Sequence, residues 1–333
     1  MSNSKKWFVI INPTSGNGKA KTFWPKIKHL LETNDFNFEF EFTKSGQHNI
    51  SVVQNIVNQG FKHIICVGGD GTIHHTVNGI MLQKSVPTSS IHVGVIPIGT
   101  GNDWVKTYGI PKEHKKALDI IKNGNIKQQD VGKIEFLNYQ KPSVFFNNLA
   151  GVGFDGYVVS KVGKYKHFGA LAYLIGAVLG LFSFKNFNVE VVTNSQTIKA
   201  KSLMVLVGLC KYSGGGMQLT DYKNPNNGLF DVSVAKDFSK WDIIKNMTKL
   251  FNGSIVKLKK VDTLKTNCIT ILSSNEINQP YIQADGELIG TGDIKVSIKL
   301  TYLSILWIIK IIFKINNSFS ILINNAPKFT VFC

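Results

Sequence analysis

A glycine-rich loop with one acidic residue, Gly68-Gly69-Asp70-Gly71-Thr72, is the segment best suited to chemistry. It follows the apolar run 63–67 and precedes a segment with helical spacing. Glycines let the backbone approach a phosphate closely, and N–H groups at the start of a helix bind anions. Asp70 would repel phosphate unless it holds a Mg²⁺ ion that bridges to the phosphates, or helps to hold a hydroxyl acceptor. A plain strand-to-helix turn is the alternative, but two glycines before Asp-Gly-Thr favour phosphate binding.

Two further loops of small residues follow apolar runs. Asn12-Pro13-Thr14-Ser15-Gly16 comes after residues 7–11, and Gly99-Thr100-Gly101-Asn102-Asp103 comes after residues 91–96. Three such loops indicate a nucleotide held by several strand ends. No G-x-x-x-x-G-K-[ST] segment occurs in the chain, and none of the three loops carries G-x-G-x-x-G. A Walker A site and a Rossmann dinucleotide site are therefore disfavoured.

The elements that must position these loops alternate between strands and helices. Strand-like runs cover residues 7–11, 38–42, 63–67 and 91–96, and helical apolar spacing fills the segments between them. This alternation predicts a parallel sheet with helices on its faces. Ligands bind at the carboxyl ends of such strands. We therefore assign residues 1–130 to an α/β nucleotide-binding domain.

The pattern changes after residue 130 to a series of strand-like runs. These runs are residues 144–149, 187–192, 203–209, 229–235, 268–272, 281–284 and 294–298. Between them only residues 168–184 and 240–250 look helical. The pattern predicts a mostly antiparallel, β-rich second domain over residues 131–300, either a sandwich or an open barrel. Residues 301–333 are rich in Ile, Asn and Phe without a clear period and remain an unassigned C-terminal tail.

The charge balance is strongly basic, with 38 Lys and Arg against 21 Asp and Glu, or +17 net. Such a surplus suits nucleic acid, anionic membranes or phosphorylated ligands. No nucleic-acid-binding motif is recognisable, which favours an anionic membrane surface as the partner. Residues 168–184 carry no charge but fall short of the roughly 20 apolar residues that a span needs. A helix in a core or at a membrane surface is therefore favoured over a span.

Cysteine usage and the N-terminus both favour the cytoplasm. The four cysteines, Cys66, Cys210, Cys268 and Cys333, include no C-x-x-C pair. Neither a zinc cluster nor a disulfide framework is therefore indicated. Residues 1–6 lead into no cleavable apolar stretch, so no signal peptide is predicted. We expect a cytoplasmic protein that associates peripherally with membranes.

The three loops together carry a family resemblance. Asn-Pro-x-Ser-Gly, Gly-Gly-Asp-Gly-Thr and Pro-x-Gly-Thr-x-Asn-Asp, in this order, resemble the diacylglycerol kinase catalytic domain family, in its bacterial soluble lipid kinase branch. The resemblance covers about residues 6–300. It continues through Asp130-Val131-Gly132, residues 147–155, residues 227–231 and Ala284-Asp285-Gly286-Glu287. It implies an α/β nucleotide domain, a β-rich domain and an active site in the cleft between them.

The resemblance also implies a set of nucleotide contacts for ATP. They lie in the first loop, after the second strand, in the second loop with its helix start, and in the third loop. The implied residues are Asn12, Pro13, Thr14, Ser15, Gly16, Thr43, Gly69, Asp70, Gly71, Thr72, Ile73, His74, His75 and Thr100.

Catalytic and metal positions follow from the same resemblance. Glu287 matches the general base, and Asp70, Asp103 and Asp130 match acidic positions around a catalytic Mg²⁺–water network. A structural metal of the bacterial branch would be held at Asn224, Asn227 and Leu229. Two departures bear on these positions: His74-His75 stand where the family usually has Asn-Glu, and Asn227 replaces the usual Asp. A neutral amide is a poorer Mg²⁺ ligand than a carboxylate.

The implied reaction is phosphorylation of a lipid hydroxyl by ATP, with diacylglycerol or a related lipid as acceptor. Two alternatives stay open. An NAD kinase or phosphofructokinase-type enzyme shares the Gly-Gly-Asp-Gly loop, but the first and third loops favour a lipid kinase. A non-catalytic lipid- or nucleotide-binding homologue is the other alternative. The expected partners are a lipid substrate and an anionic membrane surface, with no nucleic acid, and a homodimer stays open.

Overall fold

The computed structural model describes residues 5–99, 101–162, 180, 183–221, 225–273 and 279–307. Strands and helices alternate through the first part of the chain, as the apolar spacing predicts. The elements are β1 Lys6–Ile11, α1 Lys19–Thr33, β2 Asn37–Phe42, α2 Gly46–Asn58, β3 His63–Gly68, α3 Asp70–Leu82, β4 His92–Pro97, α4 Asp103–Thr107 and α5 His114–Asn123.

The four strands of this part form a parallel sheet in the order β2-β1-β3-β4. Five of the six residues are buried in each of β1, β3 and β4, whereas the edge strand β2 is largely exposed. Strands covered on both faces by helices read as continuous apolar runs. The predicted parallel α/β domain is therefore confirmed.

Strands dominate the second part of the chain, also as predicted. The elements are β5 Ile126–Phe136, β6 Val144–Phe146, β7 Leu149–Gly153, α6 Phe154–Val162, β8 Phe187–Thr193, β9 Thr197–Gly208, β10 Phe230–Lys236, α7 Lys240–Lys245, α8 Met247–Asn252, β11 Val261–Thr266, β12 Cys268–Ser273, β13 Tyr281–Ala284, β14 Glu287–Thr291 and β15 Ile294–Leu306. The strands of this part pair with one another antiparallel.

The last strand, β15, joins the two parts of the sheet. It runs antiparallel to β12 and β5, and its end lies parallel to β4 with Ser304 opposite His92 and Ile305 opposite Val93. Residues 301–306, which the sequence left unassigned, thus belong to this strand. The boundaries predicted at 130 and 300 fall inside β5 and β15. The segments 163–179, 181–182 and 308–333 lie outside the described residues.

Two predicted elements are interrupted in the structure. The strand expected over residues 144–149 is divided into β6 and β7, and the helix expected over residues 240–250 is divided into α7 and α8 at Asn246. Within the described part of the chain, the helices lack the combination of length and apolar character that crossing a bilayer requires.

The inner end of β15 should contribute strongly to stability. Ile305 is completely buried, whereas Leu300 in the same strand is 55% exposed. Ile305→Ala should lower the free energy of unfolding by about 2–5 kcal/mol, because the cavity left behind adds to the lost burial. Leu300→Ala is the matched control and should change it by less than roughly 0.5 kcal/mol. Urea denaturation measures both, and equal effects would contradict the placement of Ile305.

Candidate active site

The glycine loop forms a close contact with a carboxylate from the second domain. β3 ends at Gly68, α3 begins at Asp70, and Gly69 connects them. A Cβ atom added to Gly71 would lie 2.7 Å from Glu287 Oε1. A side chain at this position would force the carboxylate of Glu287 to move, so the glycine permits its close approach. The loop and the predicted general base are therefore neighbours.

Asp70 connects the second loop to the third. Its two carboxylate oxygens accept the backbone N–H groups of Asp103, at 3.0 Å, and Trp104, at 3.2 Å, at the start of α4. Burial, and next the nearby charge of Asp103, raise the pKa of Asp70 to about 6. The carboxylate is thus held in place by backbone donors in a setting that disfavours its own charge.

Asp103 extends the same network into the second domain. One of its oxygens accepts a hydrogen bond from Lys106 Nζ at 2.7 Å, and the other accepts the backbone N–H of Gly215 at 2.6 Å. Gly215 belongs to a tight loop closed by hydrogen bonds between Ser213 and Met217. The third loop is thereby fixed to one wall of the cleft.

The hairpin that carries Glu287 is built on a two-residue turn. Ala284 pairs with Glu287, and between them Asp285 and Gly286 have φ angles of 52° and 83°. Positive φ at both central residues is the geometry of a type I′ turn, for which Asp-Gly is a preferred sequence. The turn fixes Glu287 as the first residue of β14.

The side chain of Asp285 anchors this turn to both domains. Its oxygens accept the backbone N–H groups of Asn147, Asn148 and Leu149 at 3.1, 2.8 and 3.1 Å. The Nδ1–H of His74 donates to it at 2.9 Å, and both of these side chains are almost fully buried. The predicted strand 144–149 is interrupted here because these N–H groups donate to a carboxylate instead of to the backbone of a neighbouring strand.

Asn78, one helical turn after His74 on α3, ties the helix to β6. Its Nδ2 donates to the carbonyl oxygen of Phe145 at 2.8 Å, and its Oδ1 accepts the N–H of Phe145 at 2.9 Å. The side chain thus pairs with the backbone of β6 as a neighbouring strand would. His74 and Asn78 therefore join α3 to Asp285 and to β6.

Two cavities meet at Glu287 and Gly71. The first, of about 580 Å³, will be called the loop cavity, and it contains many of the predicted nucleotide contacts. Its lining residues are Asn12, Pro13, Thr14, Lys21, Phe42, Thr43, Lys44, Ser45, Gly46, Asn49, Gly71, Thr72, His75 and Glu287.

The second cavity, of about 280 Å³, will be called the cleft cavity. It lies between the second and third loops on one side and α6, the 213–215 loop and the hairpin on the other. Its lining residues are Gly69, Asp70, Gly71, Gly99, Gly101, Asn102, Asp103, Asn148, Asp155, Val159, Ser213, Gly214, Gly215, Gln283, Asp285, Gly286 and Glu287.

Some predicted contacts lie behind the cavity walls. Ser15 Oγ is 3.4 Å from Thr72 Oγ1, and Gly16 packs against Ile98 at the start of the third loop. Ile73 is buried in the core, and His74 lies beneath the hairpin. Neither of these two residues lines the loop cavity or the cleft cavity. Thr100 lies outside the described residues.

Asp130 and the predicted structural metal position share a third cavity, which Asp130, Asn227 and Gly228 help to line. Asp130 accepts the N–H of Gly228 at 2.9 Å, and Asn227 Oδ1 accepts the N–H of Leu229 at 3.1 Å. Asn224 lies outside the described residues. The structure therefore places Asp130 beside Asn227 and Leu229 and does not bring it to the cleft cavity.

Several lining residues were not predicted from the sequence. Lys21, Lys44 and Asn49 line the loop cavity, and Asn49 donates to the carbonyl oxygen of Thr72 at 3.2 Å. Asp155 lines the cleft cavity, where it accepts a hydrogen bond from Gln283. Burial raises the pKa of Asp155 to about 6. In the sequence, the only signal for Asp155 was its position as the last residue of segment 147–155, which is part of the family resemblance.

The carboxylates at the cleft are compatible with a Mg²⁺ ion. Among the described residues no three His, Cys, Asp or Glu side chains form a ready metal cluster. Mg²⁺ is usually bound by one or two carboxylates together with phosphates and water. A carboxylate has about four acceptor positions, so Asp70 retains acceptor capacity beyond its two backbone donors. The negative charges of Asp103 and Asp285 raise the pKa of Asp70. A bound cation would offset this repulsion between carboxylates.

A glycine-rich loop in one domain, with a carboxylate delivered by the other, is the arrangement expected of a two-domain phosphotransferase. Residues 6–134 match the diacylglycerol kinase catalytic domain, and residues 148–307 match the YegS C-terminal NAD kinase beta sandwich-like domain. Together the matches span most of the chain, which belongs to the diacylglycerol kinase catalytic domain family in the form that carries this C-terminal domain.

Curated relatives agree with this assignment, and a solved structure shares the fold. The diacylglycerol kinase of Bacillus subtilis (strain 168) is 28% identical over 290 residues, covering 85% of this chain and 90% of that protein. The diacylglycerol kinase of Staphylococcus carnosus (strain TM300) is 28% identical over 285 residues, covering 85% and 89%. A crystal structure of a diacylglycerol kinase from Bacillus anthracis str. Sterne has the same fold, with a TM-score of 0.68, 22% identity and coverage of 92% and 98%.

Removing the charge of Asp285 should disturb the fold and the site together. Asp285→Asn replaces one acceptor oxygen by a donor that faces N–H groups. The free energy of unfolding should fall by about 3 kcal/mol, because the buried N–H donors lose a charged acceptor and one of them faces another donor. Displacement of Glu287 should lower kcat by about 10- to 100-fold. Urea denaturation and turnover are compared with the exposed control Asp119→Asn, and a variant that matches this control in both would contradict the anchoring role.

Asp155 should make stability depend on pH. Its native pKa of about 6 exceeds the ordinary value of 3.8, so the native state binds more protons than the unfolded state between these values. Ionised Asp155 therefore disfavours folding above about pH 6, and the penalty disappears toward pH 4. Asp155→Asn should raise the free energy of unfolding by about 1–3 kcal/mol at pH 7 and change it little at pH 4. Urea denaturation at both pH values tests this, and an equal change at both would contradict it.

Proposed function

We propose that this chain is a lipid kinase that transfers the γ-phosphate of ATP to the hydroxyl group of diacylglycerol or a closely related lipid. The observation that carries the proposal is the position of Glu287, which lines both the loop cavity and the cleft cavity. A base between two cavities can serve a reaction whose two substrates enter from different sides. The relatives named diacylglycerol kinase support the choice of acceptor.

The loop cavity suits the triphosphate of a nucleotide. Lys21 and Lys44 are among its lining residues, and their positive charges would offset those of the phosphates. Ser45 and Gly46 at the start of α2 also line it, as do Gly71 and Thr72 in the first turn of α3. Helix N-termini favour bound phosphate through their N–H groups and their dipole. The terminal phosphate would then lie near Gly71, next to Glu287.

The acidic residues of the cleft would complete the charge balance. Asp70 and Asp103 would hold a Mg²⁺ ion directly or through water, and this ion would offset charge on the transferring phosphoryl group. Backbone donors fix the orientation of Asp70, and Lys106 and Gly215 fix that of Asp103. Little rearrangement of these side chains is then needed during the reaction.

The cleft cavity suits the lipid hydroxyl and the head of the lipid. The hydroxyl oxygen attacks the γ-phosphorus as ADP departs, and its proton passes to the carboxylate of Glu287. The hairpin turn and Gly71 fix this carboxylate at the junction of the cavities. A positioned general base contributes about 10²–10⁴ in rate.

Location and partners belong to the same proposal. A kinase of membrane lipids must reach the bilayer surface, and the net charge of +17 favours an anionic one. We propose peripheral association with the cytoplasmic face of the membrane.

Glu287→Gln should abolish most turnover without disturbing the fold. Glutamine preserves size and hydrogen bonding but lacks basicity, so kcat should fall by about 10²–10⁴. The KM for ATP should change little, because other residues of the loop cavity hold the nucleotide. The assay is transfer of labelled phosphate from ATP to a panel of diacylglycerol, phosphatidylglycerol, sphingosine, ceramide and NAD, with melting temperatures measured in parallel.

The matched control is Glu135→Gln, which changes the same residue type on β5, outside both cavities, and should keep parental kinetics. No transfer to any lipid by the parent protein would favour a non-catalytic homologue. Transfer to NAD alone would favour the NAD kinase-type alternative. A Gln variant within about threefold of the parental kcat would remove Glu287 from the mechanism.

A further inference from the structure

The helical pair, defined here as α7 and α8, exposes more apolar surface than a solvated element requires. Trp241 is 78% exposed, Phe251 is 45% exposed and Ile244 is 38% exposed. The inner side of the pair is already packed, because Ile243 and Leu250 contact a small cluster in the second domain. The exposed side chains are therefore not needed to hold the pair on the fold, and three large apolar side chains exposed within two short helices form a candidate binding surface.

The charge around the helical pair is strongly positive. Residues 240–260 contain six lysines and a single acid, Asp242. Asp242 is occupied within the element, where it caps α7 with Ser239 and pairs with Lys260 at 2.7 Å. The six lysines are Lys240, Lys245, Lys249, Lys257, Lys259 and Lys260. Tryptophan and phenylalanine flanked by lysines are the composition of helices that lie at the surface of anionic bilayers.

The helical pair is linked to the wall of the cleft cavity through Gln218. The N–H of Gln218 donates to the carbonyl oxygen of Leu250 at 2.7 Å, and its Nε2 donates to that of Phe251 at 2.7 Å. Gln218 follows the loop whose residues Ser213 and Gly215 line the cavity. Hydrogen bonds therefore link the exposed aromatic face to the cavity wall opposite the glycine loop.

We propose that the helical pair is the membrane-docking face of this protein, with Trp241 and Phe251 inserted at the interface of an anionic bilayer and the surrounding lysines against its headgroups. The occupant is a lipid surface, because the face combines exposed aromatic side chains with a local excess of positive charge. Docking there would bring the cleft cavity close to the bilayer. The use of this geometry for catalysis rests on the proposed lipid kinase function, whereas the docking itself does not.

Tryptophan fluorescence can report on docking directly. Of the five tryptophans, Trp7, Trp24 and Trp104 are buried and Trp307 is partly buried against the core. Trp241 is therefore the residue that a quencher inside a bilayer should reach. The full chain is titrated, without ATP, with vesicles of phosphatidylcholine and phosphatidylglycerol that contain brominated phosphatidylcholine. We expect a blue shift and quenching, and Trp241→Phe should remove most of the quenching while vesicle binding remains.

Matched variants separate the apolar contribution from the charge contribution. Trp241→Ala with Phe251→Ala should weaken vesicle binding by roughly tenfold or more, because two large apolar side chains no longer insert. Lys245→Gln and Lys249→Gln should each weaken it by roughly fivefold at low salt, and less at high salt. The controls are Leu137→Ala, at a residue 50% exposed elsewhere on the second domain, and Lys115→Gln on α5. Both controls should bind as the parent does.

Vesicle binding and lipid turnover, measured separately, distinguish a failure of the docking proposal from a failure of the proposed function. Loss of vesicle binding with unchanged turnover of a short-chain, water-dispersed lipid supports the proposal. Vesicle binding that depends on these residues in a protein without kinase activity would support docking and overturn only the proposed function. Unquenched Trp241, or equal vesicle binding by the double variant and the parent, would overturn the proposal. Conversion of a dimer to a monomer by the double variant, with no effect on vesicle binding, would also overturn it and assign the face to self-association.

Discussion

The buried carboxylate of Asp285 holds the parts of the active site in register. It accepts three consecutive backbone N–H groups between β6 and β7 and the imidazole of His74. Asp285 is also the first of the two central residues of the turn that precedes Glu287. Helix α3, the β6–β7 connection and the hairpin that carries Glu287 therefore meet at one buried carboxylate. Without it, His74 and the three backbone N–H groups of Asn147, Asn148 and Leu149 would lose a buried acceptor.

The carboxylates of the cleft fix the positions of neighbouring groups but contribute little to the stability of the fold. A buried ion pair recovers little net free energy, because both charges must leave water. Burial also raises the pKa of Asp70 and of Asp155, so their ionised forms are held against a cost to the fold. Perturbed carboxyl groups that cluster in a cleft are typical of functional sites. The rest of the molecule must offset this cost through its cores and its continuous sheet.

The continuous sheet gives the cleft a second connection. β15 extends from the strands of the second domain into the parallel sheet, where it lies beside β4. β4 leads into the third loop, whose Asp103 is bound in turn by the 213–215 loop of the second domain. The two domains are thus joined through backbone pairing at the sheet and through side chains at the site.

The sequence by itself determined the elements whose signals are local. The buried runs and the glycine loops of the first domain were readable, because each lies within a few contiguous residues. Tertiary structure alone decided the features that depend on distant partners. The strand 144–149 breaks because of Asp285, more than 130 residues away.

Residues 303–306 are buried on both faces and pair with a strand some 210 positions earlier. Ser304 interrupts this short apolar run, so no local pattern marks these residues as a strand. Asp155 and Asn49 line the cavities, and Asp130 lies in a third one. Which cavity a side chain lines depends on how the strands pair, and that pairing is set by the packing of the whole chain.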